Sequence, residues 1–135
     1  MIRYILPLAL LALTGCQTAG NVNDNMLAGQ KPATAADRRS IAEHARVHMK
    51  DPYSIRDAEI SYTMPNGKRN GQDVRFVCFR ANAKNSYGAY TGIQSHSAGL
   101  YPDGSLTDVS SNVHWCNKPG MKWQRFSELE NIRSL

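Results

Sequence analysis

Ile5 to Leu13 is an unbroken apolar run. At roughly nine residues it is too short to cross a bilayer, which takes about 20. Arg3 puts one positive charge just before it, and the small residues Thr14 and Gly15 come just after. Charge, short apolar core and small residues, in that order, are the layout of an export signal. The first fifteen residues are therefore expected to leave the fold, and the remainder to fold where thiols oxidise. What is left of the 135 residues suffices for one domain and not two.

The run ends in Leu13-Thr14-Gly15-Cys16, which resembles the processing box of bacterial lipoproteins: an aliphatic residue, two small ones and the modified cysteine. The resemblance implies that residues 1–15 are a signal peptide and that Cys16 carries diacylglycerol on its sulfur, its new amine often acylated too. Two or three acyl chains anchor a protein stably where one is marginal. Gln17, where an aspartate would imply the inner membrane, implies the outer membrane, with the domain facing the periplasm. The competing reading is an ordinary signal peptide with a chance cysteine, or a buried helix. Residues 16–33 are expected to be a lipidated flexible tether, because Gln17 to Asn25 is small and polar and has little apolar surface to offset the entropy of ordering. A single globular domain is expected over 34–135.

With Cys16 assigned to lipid, Cys78 and Cys116 remain, an even pair in an oxidising compartment, and they read as a disulfide. It would close a loop of roughly 39 residues, for which chain entropy gives about 3–4 kcal/mol. The chain is modestly basic, 16 Lys and Arg against 11 Asp and Glu, without a cluster; Arg38-Arg39 and Lys68-Arg69 are only pairs. A solvated surface is the plain reading, and attraction to anionic headgroups or cell-wall polymers the sharper one. No nucleic-acid module is recognisable.

Within the domain, Thr34 and Asp37 have capping-box spacing. Ile41, Ala45, His48 and Met49 follow as one apolar stripe, with Arg38, Arg39, Glu43, Arg46 and Lys50 towards water. Asp51-Pro52 ends this helix. Ala58, Ile60, Tyr62 and Met64 alternate with polar residues, which predicts a half-buried strand. Turn chemistry at Pro65-Asn66-Gly67 and Asn70-Gly71 leaves Lys68 and Arg69 at a hairpin tip. Val74 to Ala81, apolar without alternation around Phe76-Val77-Cys78-Phe79, predicts a central strand covered on both faces. Tyr90 to Ser97 reads as a third strand and Leu106 to Val109, after Pro102-Asp103-Gly104, as a fourth, with Val113 to Cys116 near the sheet edge. Trp123, Phe126, Leu129 and Ile132 have the spacing of a short terminal helix. The fold class is α+β: an N-terminal helix, an antiparallel meander of about four strands, a short C-terminal helix and one disulfide.

The stretch from Asn82 to Gly92 holds asparagines, a lysine, tyrosines and glycines in close succession. Together with Met49 to Ser54 and Phe76-Val77-Cys78 it resembles small uncharacterised bacterial envelope lipoproteins that share an Asn-Ala-Lys-Asn-x-x-Gly-x-Tyr-x-Gly stretch. The resemblance implies an envelope address and no activity. Asn82, Lys84, Asn85, Tyr87 and Tyr90 are candidate binding residues, able to stack on a sugar or grip a partner. The alternative is a purely structural hairpin in which the asparagines bond their own backbone. His44 and His48 have a spacing that can hold zinc, but His48 lies on the apolar stripe and no third ligand is placed. No metal site, cofactor or catalytic residue is assigned.

These readings converge on a non-catalytic module that binds another envelope protein from its place in the bilayer. The alternatives are a peptidoglycan- or glycan-binding module using the 82–92 loop, and a hydrolase with an unrecognised site near His96 and His114.

Overall fold

The computed structural model describes residues 22–135; the expected signal peptide, Cys16 and the first residues of the expected tether lie outside them. Helices α1 (Asp24–Ala28) and α2 (Ala35–His48) lead into strands β1 (Arg56–Ser61), β2 (Met64–Arg69), β3 (Gln72–Lys84), β4 (Tyr90–Leu100), β5 (Leu106–Ser111) and β6 (Trp123–Arg125). The short helix α3 (Ser127–Glu130) follows, and single 3-10 turns sit at Pro52–Ser54, Trp115–Asn117 and Ile132–Ser134. The fold is α+β with an antiparallel sheet. No helix of the described residues is long and apolar enough to cross a membrane.

The capping box fixes the start of α2. Thr34 Oγ1 accepts from the Asp37 N–H at 3.2 Å, and Asp37 Oδ2 accepts from the Thr34 N–H at 2.8 Å. The fully buried Asp37 carboxylate also takes two 2.8 Å bonds from the Arg75 guanidinium of β3. One residue thus caps the helix and fastens it to the sheet. Gly104, at φ +87°, lets the β4–β5 turn lie against this helix start, where an added Cβ would come within 2.8 Å of Ala36.

Central strand β3 organises the sheet, whose order is β5-β4-β3-β1-β6 with β2 also on β3. β1 covers the second half of β3 (Ile60 opposite Phe79) and β2 the first half (Met64 opposite Phe76). Between them Tyr62 and Thr63 leave the ladder. The Tyr62 N–H donates to the Lys122 carbonyl at 2.8 Å, and Thr63 exchanges backbone bonds with Lys31 at 2.7 and 3.0 Å. Ser61 Oγ accepts from the Cys78 N–H at 2.9 Å, a buried donor that the gap would otherwise orphan. Asn70 and Gly71, both at positive φ, make the tight β2–β3 turn that the dipeptide predicts.

One face of the sheet packs Ile60, Val77, Phe79, Ala98 and Leu100 against Ile41, Ala45, Phe126, Leu129 and Ile132. A smaller cluster surrounds the other buried group, Cys78, Val113 and Cys116, with Phe76, Trp115, Met121 and Trp123 around it. Cys78 and Cys116 form the expected disulfide, their Cα atoms 5.7 Å apart, which holds the 112–122 connection to the sheet.

Several expectations are corrected. Among the described residues the sheet has six strands rather than about four, with β6 returning to pair with β1, and the strand read through Met64 is two, because Tyr62 and Thr63 bond elsewhere. Lys68 and Arg69 are the exposed last residues of β2, paired with Asp73 and Gln72 beside the Asn70-Gly71 turn. Trp123 belongs to β6, paired across from Ser61; only Phe126, Leu129 and Ile132 keep the terminal spacing as buried residues. Val113 follows edge strand β5 and donates its N–H to the Ser95 carbonyl of β4 at 3.1 Å, and Cys116 then turns back over the sheet to Cys78. His48 is exposed, since α2 ends there. Arg38 does not point to water: its guanidinium donates to both Glu128 oxygens at 2.8 and 2.6 Å and lies 5.2 Å from the Phe126 ring centroid. Within the expected tether, the chain is folded from Val22 onward. Val22 is buried, Asn23 caps α1, and the Gln30 amide bonds the Gly120 carbonyl at 3.0 Å and the Lys122 N–H at 2.8 Å.

Candidate functional site

The β3–β4 hairpin carries the residues singled out in the sequence, and the structure sorts them by role. Asn82 is buried; its Oδ1 accepts from the Gly92 N–H at 3.1 Å, where the β3–β4 register shifts. Asn85 Oδ1 accepts from the N–H groups of Tyr87 and Ala89 at 2.9 and 3.1 Å, closing the turn from inside. Gly88 and Gly92 take positive φ, which glycine adopts without steric cost. Both asparagines brace the hairpin, Asn85 within its own turn and Asn82 across the two strands.

Lys84 and Tyr90 are tied to a neighbouring segment. The Lys84 N–H donates to Ser54 Oγ at 2.9 Å, and the Tyr90 hydroxyl donates to the Ser54 carbonyl at 2.9 Å. The Arg56 guanidinium sits 3.6 Å from the Tyr90 ring centroid, with the Lys84 ammonium 5.5 Å away on the same ring. Ser54 lies on the 3-10 turn opened by Pro52 and donates from Oγ to the Asp51 carbonyl at 2.8 Å. Two stretches singled out together in the sequence, around Ser54 and around Asn82–Gly92, thus touch.

Tyr87 stands apart. It is 95% exposed at the hairpin tip, and among the described residues only its backbone is bonded. Further down β4, Ile93 is 52% exposed and lines a groove of about 410 Å³ with Asp57, Ala58, Glu59, Arg125 and Glu130. Glu130 is partly buried there, which favours its neutral form. Bonds from the Ala58 N–H and the Arg125 guanidinium outweigh burial and hold its carboxyl below the usual range. Across the wall, Glu59 pairs with Arg80 at 2.6 Å, and Arg80 in turn covers the Trp123 ring. Sequence reasoning missed Ile93, because its alternation with polar neighbours matches a buried strand position as well as an exposed one.

The histidines do not gather here. His96 stacks on Phe79, ring centroids 5.1 Å apart, and burial pushes its imidazole below the ordinary value. His114 is exposed beside the Trp115–Asn117 turn. His44 and His48 stack on each other at 4.0 Å, and burial together with the neighbouring His48 lowers His44. Among the described residues no three His, Cys, Asp or Glu side chains are grouped to hold a metal ion.

No known family, no curated protein and no solved structure matches this chain. The functional reading therefore rests on the geometry of the hairpin and its groove.

Proposed function

We propose that the protein is a non-catalytic binding module of the cell envelope, held in the outer membrane by acylated Cys16, facing the periplasm and engaging another envelope protein through the β3–β4 hairpin. One observation carries the reading: Tyr87 is 95% exposed on a backbone whose turn is closed by Asn85. A partner that covers such a ring gains apolar burial while little backbone is left to order. Ile93 adds an apolar wall lower down, and Arg125, Glu130 and Asp57 supply the charged rim of the groove that protein interfaces favour around an apolar centre. An anchor in the same membrane raises the effective concentration of such a partner.

The test is recovery of the membrane-extracted protein with its bound components, wild type against Tyr87→Ala and Ile93→Asp. The expected outcome is one protein retained by the wild type and lost from both variants at unchanged thermal stability. Retention of peptidoglycan fragments instead, lost with Tyr87→Ala, would favour the glycan-binding alternative.

A further inference from the structure

The fold shortens the tether, and this has a consequence for how the domain meets the bilayer. If Cys16 is acylated, as the proposed function requires, only residues 17–21 separate it from buried Val22. Fully extended, such a segment spans at most about 20 Å. From Val22 on, the chain is fastened: α1 is capped by Asn23, Gln30 grips the Gly120–Lys122 backbone, and Lys31 bridges to Thr63. The α1 side of the domain is thereby kept close to the headgroups.

That side is cationic. Lys31, Lys118 and Lys122 are all exposed, and these contacts bring their chain segments together, the Lys122 ammonium lying 5.7 Å from the Tyr62 ring centroid. Lys31 pairs through its backbone with Thr63, whose neighbour Tyr62 bonds Lys122. Lys118 lies 3.9 Å from Asp24 of α1. Asp24, itself 94% exposed on its side chain, is the one acid in α1; Lys31 and Lys122 have no carboxylate partner among the described residues.

We infer that the α1 edge, through Lys31, Lys118 and Lys122, docks on an anionic lipid surface and sets the orientation of the domain. Basic residues held within a Debye length of about 8 Å are attracted to acidic headgroups. A basic patch is also an effective second signal beside an acyl anchor. The Tyr87 hairpin lies at the far end of β3, roughly 26 Å along the strand from the level of Thr63 at about 3.3 Å per residue. Docking by the α1 edge therefore leaves the hairpin clear for a partner.

The test uses the full membrane-extracted protein, its intact mass measured first, in detergent, in phosphatidylcholine vesicles and in vesicles that also contain phosphatidylglycerol. Each lysine is then labelled with an amine-acylating reagent and its rate read by mass spectrometry. The expected result is a several-fold slower reaction at Lys31, Lys118 and Lys122 in the anionic vesicles, with Lys50 and Lys84 unchanged. An acylated protein whose lysines all react alike in the three settings overturns the docking and leaves the anchor standing. A mass without acyl chains overturns both.

Discussion

The two faces of the sheet are held by different physics. On one, α2 and α3 bury a continuous apolar cluster from Ile41 to Ile132. On the other, three buried residues and their half-buried neighbours cover much less, and a covalent bond between Cys78 and Cys116 fastens the 112–122 connection. Burial is cooperative and spread over many side chains, whereas the disulfide acts at one point and mainly by restricting the unfolded chain. A small domain that covers only one face well can still keep a second layer by such a link.

The largest expected effect breaks the helical face. Phe126, fully buried with its ring edge-on to Phe79 at 6.5 Å, should cost about 3–5 kcal/mol when cut to Ala, read by urea unfolding. Asp37→Ala should fall in a similar range of about 3–5 kcal/mol, because Arg75 is left without its partner. Opening the other face is milder. Cys78→Ser with Cys116→Ser should cost about 2–4 kcal/mol, while amide exchange in α2 and the core end of β3 stays the slowest in the molecule.

An acid titration sharpens the contrast. Hydrogen bonding from Arg38 holds the Glu128 carboxyl down to about 2, against 4.5 unperturbed. The folded state thus favours the ionised form. Its stabilisation is present above about pH 4.5 and is lost as pH falls towards 2. Thermal unfolding measured across that window should decline less steeply in Arg38→Gln than in wild type. The smallest effect belongs to the hairpin tip, where Tyr87→Ala should stay within about ±0.5 kcal/mol of wild type.

Much of the helical layer was legible because its signals are local. Thr34 and Asp37 sit three apart, Asp51-Pro52 stops α2, and the unbroken apolar run at Phe76 to Phe79 marks the strand with both faces covered. The disulfide followed from counting cysteines once Cys16 was set aside. What escaped depends on partners far along the chain. Arg38 looks like any helix-surface cation until Glu128 is found 90 residues away. Asn23 and Gly29 cap only a five-residue helix around Met26 and Leu27, too short a run to show in a periodicity; Gln30 and Lys31 are fixed by Lys122 and Thr63. Trp123 fits a helical spacing and a three-residue strand equally well, and its pairing with Ser61 decides between them. At the hairpin, residue types alone marked the stretch but could not separate Asn82 and Asn85, which brace it, from Tyr87, which projects.

The exposed hairpin as a protein-binding surface is tested most directly by a photo-crosslinking residue placed at Tyr87 in intact cells, with Val47, also well exposed, as the control position. A discrete protein adduct from position 87, absent from position 47 and abolished by Ile93→Asp, is the predicted result. No adduct from position 87, or the same diffuse adducts from both positions, would contradict it.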